Sequence, residues 1–130
     1  MPTFAAPVAT TEQFKSALLA VRDKSLPDGH LAMLKAQCKA AGGAITSSRL
    51  AEAAGYENYN AANLQYGTLA FNIAGHLSYN PPKRRDGTGM WWTALSYCEE
   101  GEPEPDTGHF VFIMRPELVA ALREMKWVKV

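Results

Sequence analysis

The stretch Ala44-Ile45-Thr46-Ser47-Ser48-Arg49-Leu50-Ala51-Glu52-Ala53-Ala54-Gly55-Tyr56 constrains the fold of this chain more than any other. Thr46 supplies a side-chain oxygen just ahead of a short helix whose inward positions are Leu50, Ala51 and Ala54. Gly55 then takes the left-handed conformation that a tight turn requires. Alanines around the turn let two steeply crossing helices approach closely, so the segment has the grammar of a helix-turn-helix. Ile45 is expected on a short edge strand ahead of it.

The flanking sequence extends the pattern. Residues 1 to 10 are small and apolar with two prolines and read as an arm. A helix from Thr11, with Thr11 as its cap, carries Phe14, Leu18, Leu19 and Val21 as an apolar stripe and ends before Pro27. A second helix from Asp28 places Leu31, Leu34 and Cys38 at helical spacing and stops at Gly42-Gly43. After the turn a long helix from Asn58 to Leu77 puts Ala62, Tyr66, Leu69, Ile73 and Leu77 on its core face. Beyond Pro81-Pro82 and the basic turn Lys83-Arg84-Arg85-Asp86-Gly87, strands from Trp91 to Tyr97 and from His109 to Met114 are expected to form a hairpin. Arg115-Pro116-Glu117 begins a last helix that faces Leu118, Val119, Leu122 and Met125 inward. This order predicts an α+β, mainly helical, winged-helix-like fold, with residues 11 to 130 forming one domain.

Charge refines what such a domain can bind. The 130 residues hold 13 Lys and Arg against 13 Asp and Glu. Zero net charge argues against a polyanionic partner, because phosphate neutralisation draws on surplus cations. Yet Glu99, Glu100, Glu102, Glu104 and Asp106 crowd five acids into eight residues, and outside them the balance is 13 − 8 = +5. From Leu50 through Pro82 there is no Lys or Arg at all. No apolar run approaches the ~20 residues of a membrane span. The start lacks the basic and apolar regions of a secretory signal, and Cys38 and Cys98 stand apart, so a cytoplasmic protein is expected.

In a winged helix the helix after the turn reads the major groove, where amide side chains can pair with adenine. Here that helix offers Asn58, Asn60, Asn63, Gln65 and Thr68. Arg49, Lys83, Arg84 and Arg85 would anchor phosphates without reading sequence. On a strand, Trp91 and Trp92 alternate faces, one core and one open to stack on a base. Against DNA stand Leu64 and Phe71, apolar groups on the supposed outer face that suit a protein partner better. His30, His76 and His109 have no carboxylate at metal-ligand spacing, and no nucleophile motif or Gly-rich phosphate loop is present, so neither a metal, a cofactor nor enzymatic activity is expected.

The residues ITSSRLAEAAGYENYNAANLQYGTLA resemble small modules of bacterial proteins that also carry HNH-type nuclease or other restriction-like domains. The resemblance covers roughly residues 30 to 80 and is most specific in GYENYNAANLQYG. It implies nucleic-acid recognition in defence against foreign DNA, with Tyr56, Asn58, Tyr59, Asn63, Tyr66 and Gly67 as contact or shaping residues. No HNH metal site accompanies it in this sequence, so cleavage is not carried over, and the implied role is that of a regulator, a subunit or a decoy. The expected partner is therefore double-stranded DNA, modified or unmodified. The alternative is a protein-interaction module, for a homodimer or another partner, using Leu64, Phe71 and the acidic loop 99 to 106.

Overall fold

The computed structural model describes residues 7–98 and 110–128. Its first helix, α1, spans Thr11–Lys24. The cap is Thr10 rather than Thr11: Thr10 Oγ1 accepts from the Gln13 amide at 3.1 Å while Gln13 Oε1 accepts from the Thr10 amide at 2.8 Å. This reciprocal capping box satisfies two helix-end donors at once, which a cap at Thr11 would not. Phe14, Ala17, Leu18 and Val21 are buried, whereas Leu19 is 39% exposed, one position off the stripe. Val8 and Ala9, ahead of the helix, pack on the core.

Helix α2, Asp28–Lys39, buries Met33, Leu34 and Cys38 together with the polar His30 and Gln37. Gly42 and Gly43, both at positive φ, turn the chain into strand β1, Ala44–Thr46. Helix α3, Ser47–Ala54, is capped by Thr46 Oγ1, which accepts from the Arg49 amide at 3.2 Å. Gly55 has φ +78°, its amide donates to Glu52 O, and the Tyr56 amide donates to Ala51 O. These two bonds form a Schellman motif, the ending that a left-handed residue permits. Helix α4, Tyr59–Ala74, begins at the Asn58 cap and buries Ala62, Tyr66, Leu69, Ala70, Ile73 and Ala74. It stops three residues short of the expected Leu77, which lies half-buried in the following turn.

Among the described residues the sheet has three antiparallel strands in the order β1-β3-β2. Strand β2 comprises only Ser96–Tyr97, because Trp91–Ala94, expected as strand, is a 3-10 turn. Local and distant polar bonds bend it: Thr93 Oγ1 donates to Met90 O at 2.7 Å, and Arg115 Nε donates to Thr93 O at 2.9 Å. Strand β3, Val111–Met114, pairs Ile45 with Phe112 on one side and Ser96 with Met114 on the other. Phe112 and Met114 point into the core and Val111 outward, the alternation of a half-buried strand. His109 and the acidic run at 99 to 106 lie outside the described residues. Helix α5, Pro116–Glu124, has Pro116 in its first turn and buries Leu118, Ala121 and Leu122.

Helices α1, α2, α4 and α5 meet the sheet in one core, where Trp92, Phe110 and Phe112 pack edge to face. At its centre Tyr66 Oη donates to Gln37 Oε1 at 2.6 Å and pairs with Ser96 Oγ at 2.5 Å. Gln37 Nε2 donates to Ser96 Oγ at 2.9 Å and to Gly43 O at 3.2 Å. This closed triangle joins α2, α4 and β2, satisfying polar groups that burial would otherwise penalise. The architecture is α+β and mainly helical, and no described helix is long and apolar enough to cross a membrane.

Candidate functional site

The outer face of α4 is the surface that the sequence singles out, and the fold redistributes its amides. Asn58 Oδ1 accepts from the Ala61 amide at 3.0 Å, so its side chain caps the helix. Gln65 turns toward α2, with Oε1 at 2.8 Å from the Nε2 of buried His30. Thr68 Oγ1 donates to Leu64 O within the helix at 3.1 Å. Asn60 is exposed, and Tyr59 and Asn63 are half-buried. The Oδ1 of Asn63 is buried with no hydrogen-bond partner among the described residues.

This face also carries open apolar side chains. Leu64 is 69% exposed and Phe71 53%. Trp91, half-buried, meets Phe71 edge-on with ring centroids 4.8 Å apart. That contact docks the basic turn against α4. The turn is a tight ladder in which Lys83 bridges Gly89, the Arg84 amide donates to Thr88 O at 2.8 Å and the Met90 amide donates to Pro82 O at 2.9 Å. Asp86 accepts from both the hydroxyl and the amide of Thr88, and these bonds hold its carboxyl below the usual carboxylate range. Arg84 Nη1 donates to Gly89 O at 2.7 Å, while Lys83 and Arg85 point to solvent. Gly89 is required here, since a Cβ would lie 2.9 Å from Trp91 Nε1 and 3.0 Å from Pro81 Cγ.

Together these elements line a recess of about 290 Å³ bounded by Leu64, Gly67, Thr68 and Phe71 of α4 and by Arg84, Gly89, Trp91 and Trp92. Thr68 and Arg84 are thus brought to one place. Arg49 is not: it lines a separate groove of about 640 Å³ with Lys39, Glu52 and the β1 residues Ala44 and Ile45. Of the tryptophan pair that the sequence singles out, Trp92 is buried and Trp91 is the more open, but on a 3-10 turn rather than a strand, and its neighbour on α4 was not readable from sequence. The glycine two residues before it marks a close approach without naming the neighbour.

Tyr56 and Tyr66 have structural positions. Tyr56 packs so closely on α2 that a Cβ at Gly29 would collide with its Oη, and burial pushes its phenol up. Tyr66 is fully buried. Cys38 and Cys98 are buried, and burial pushes the Cys38 thiol up despite the Arg123 guanidinium nearby. No cluster of three or more His, Cys, Asp or Glu able to hold a metal ion occurs among the described residues. No protein-family model, curated protein or solved structure matches this chain.

Proposed function

We propose that the protein is a winged-helix-like module that binds double-stranded DNA through the outer face of α4, without catalysing a reaction. The observation that carries this reading is the docking of the basic turn on that helix. Arg84 lines the same recess as Leu64, Gly67 and Thr68, so a cationic arm flanks the helix that follows the α3–Gly55 turn. The antiparallel order β1-β3-β2, with the turn motif between β1 and β2, is the arrangement a winged helix needs. Asn60 is the amide left open for base edges, since the Asn63 Oδ1 is buried, and Lys83 and Arg85 are the cations left for phosphates.

With few such anchors, affinity is modest and salt-sensitive. Each phosphate contact contributes about 0.9 to the slope of log K against log salt. The double variant Lys83→Ala/Arg85→Ala therefore weakens binding at low salt and flattens that slope by up to about 2. Fluorescence anisotropy on a labelled duplex at several salt concentrations measures both, and an unaltered slope sinks the assignment of these residues. The role in defence against foreign DNA rests on the resemblance around GYENYNAANLQYG alone.

The exposure of Leu64 and Phe71 favours one second reading, a protein interface on the same face. Light scattering during size exclusion tests its homodimer form. A dimer mass that returns to monomer in Leu64→Asp supports it; a monomer at high concentration removes self-association.

A further inference from the structure

The turn after α5 and the connection between α1 and α2 line a second hollow, of about 300 Å³. Leu26 of the connection, Leu31 of α2 and Trp127 after α5 form its apolar part, and all three are half-buried. Arg22 of α1, Lys35 of α2 and Lys126 complete the lining, all three exposed, and no carboxylate is among these residues. Arg22 pairs with its neighbour Asp23 at 3.0 Å. Lys35 and Lys126 form no ion pair among the described residues. Like charges gathered beside apolar surface repel more strongly than in open water, and an anion seated between them relieves that repulsion.

Lys126 holds its place at a cost. It occupies the left-handed position of the Schellman ending of α5, with φ +63°. Its amide donates to Arg123 O and that of Trp127 to Leu122 O, both at 3.0 Å. Glycine fills such a position without strain, whereas a Cβ there crowds the backbone. The chain thus carries a cation at the rim of the hollow where glycine fits the backbone better.

An occupant complementary to this lining has an apolar body and a negative charge at one end. Inorganic phosphate leaves the apolar part wet. A duplex backbone does the same, because its bases stay stacked inside. The volume is at the lower end of small-molecule sites, which are mostly apolar with a few placed charges. We propose that the hollow binds a small organic acid, with its apolar body on Leu26, Leu31 and Trp127 and its carboxylate between Lys35 and Lys126. The hollow shares no residue with the recess on α4, so this proposal does not rest on the DNA-binding reading.

The test titrates the full chain with naphthylacetate, with naphthylacetamide, which has the same body without the charge, and with inorganic phosphate. The backbone and indole signals of Trp127 are followed by nitrogen–proton NMR. The acid shifts them saturably, the amide binds more weakly, and phosphate does not displace the acid. Each lysine contributes about a two- to five-fold preference for the acid over the amide, the range of an exposed ion pair. Lys35→Gln lowers this preference without weakening the amide. Lys126→Gly lowers it as well, while the urea midpoint holds or rises because glycine relieves the left-handed φ. Lysines that only shield the apolar surface would leave the preference unchanged in both variants, and that result overturns the proposal. Equal binding of acid and amide, displacement of the acid by an equal concentration of phosphate, or no shift of Trp127 up to the solubility limit overturns it too.

Discussion

The side chain of Tyr66 carries the clearest energetic consequence in this molecule. Burial pushes its phenol well above the usual tyrosine range. The unfolded chain ionises this group near pH 10, whereas the folded chain keeps the proton to higher pH. Above about pH 10 the folded state therefore binds more protons than the unfolded state, and stability falls as pH rises. Tyr66→Phe leaves Gln37 Oε1 without its donor and should cost about 1–3 kcal/mol at neutral pH. It should also make the alkaline decline shallower. Urea midpoints at neutral pH and at about pH 10.5 check both, and a decline as steep as in the wild type refutes the ionisation account. Gly67 points the other way. Gly67→Ala, within α4, should raise stability by about 0.5–1 kcal/mol, readable in the same urea titration, because a Cβ there meets no described atom within 4 Å. At this scale the sequence was only partly legible. Gln65 belongs to the amide-rich face by spacing, but His30, 35 residues away in the chain, draws it inward.

Among the elements, the α3 ending shows how local chemistry decides structure. Gly55 needs its left-handed φ, and a Cβ there would meet nothing within 4 Å. The cost of Gly55→Ala is therefore conformational, about 1–2 kcal/mol, and chemical denaturation should register it as a lower midpoint with an unchanged slope. The helices were legible because their boundaries are written in short-range signals: Thr46 and Asn58 as caps, Gly55 as stop, Pro116 at a first turn. The strand expected at 91 to 97 was not. Two tryptophans, a threonine and a leucine have strand-like character, but the Arg115 bond to Thr93 O and the Thr93 bond to Met90 O impose a 3-10 turn. Arg115 lies 22 residues beyond Thr93, and no window of local sequence contains that bond. The recess was legible on its α4 side, as Leu64, Gly67, Thr68 and Phe71 at helical spacing. Its Trp91 and Arg84 side depends on how the basic turn folds back.

For the whole molecule, neutrality is an average over unlike regions. Changing Glu99, Glu100, Glu102 and Glu104 to Gln takes the formal net charge from 0 to 0 + 4 = +4. On the proposed function this should tighten duplex binding at low salt and matter little at high salt, since mobile ions screen distant charges. Anisotropy of the quadruple variant at both salt levels measures the difference, and an equal gain at both would contradict long-range repulsion as its cause. The edge-on packing of Trp91 on Phe71 has a consequence for any partner of this face. Because Trp91 already packs on Phe71 and the turn from Lys83 to Gly89 is held by its own hydrogen bonds, association need not order this arm, and its free energy is not reduced by loss of backbone entropy there. The heat-capacity change of binding should then scale with the surface covered alone, without the excess that accompanies folding of a loose segment onto its target.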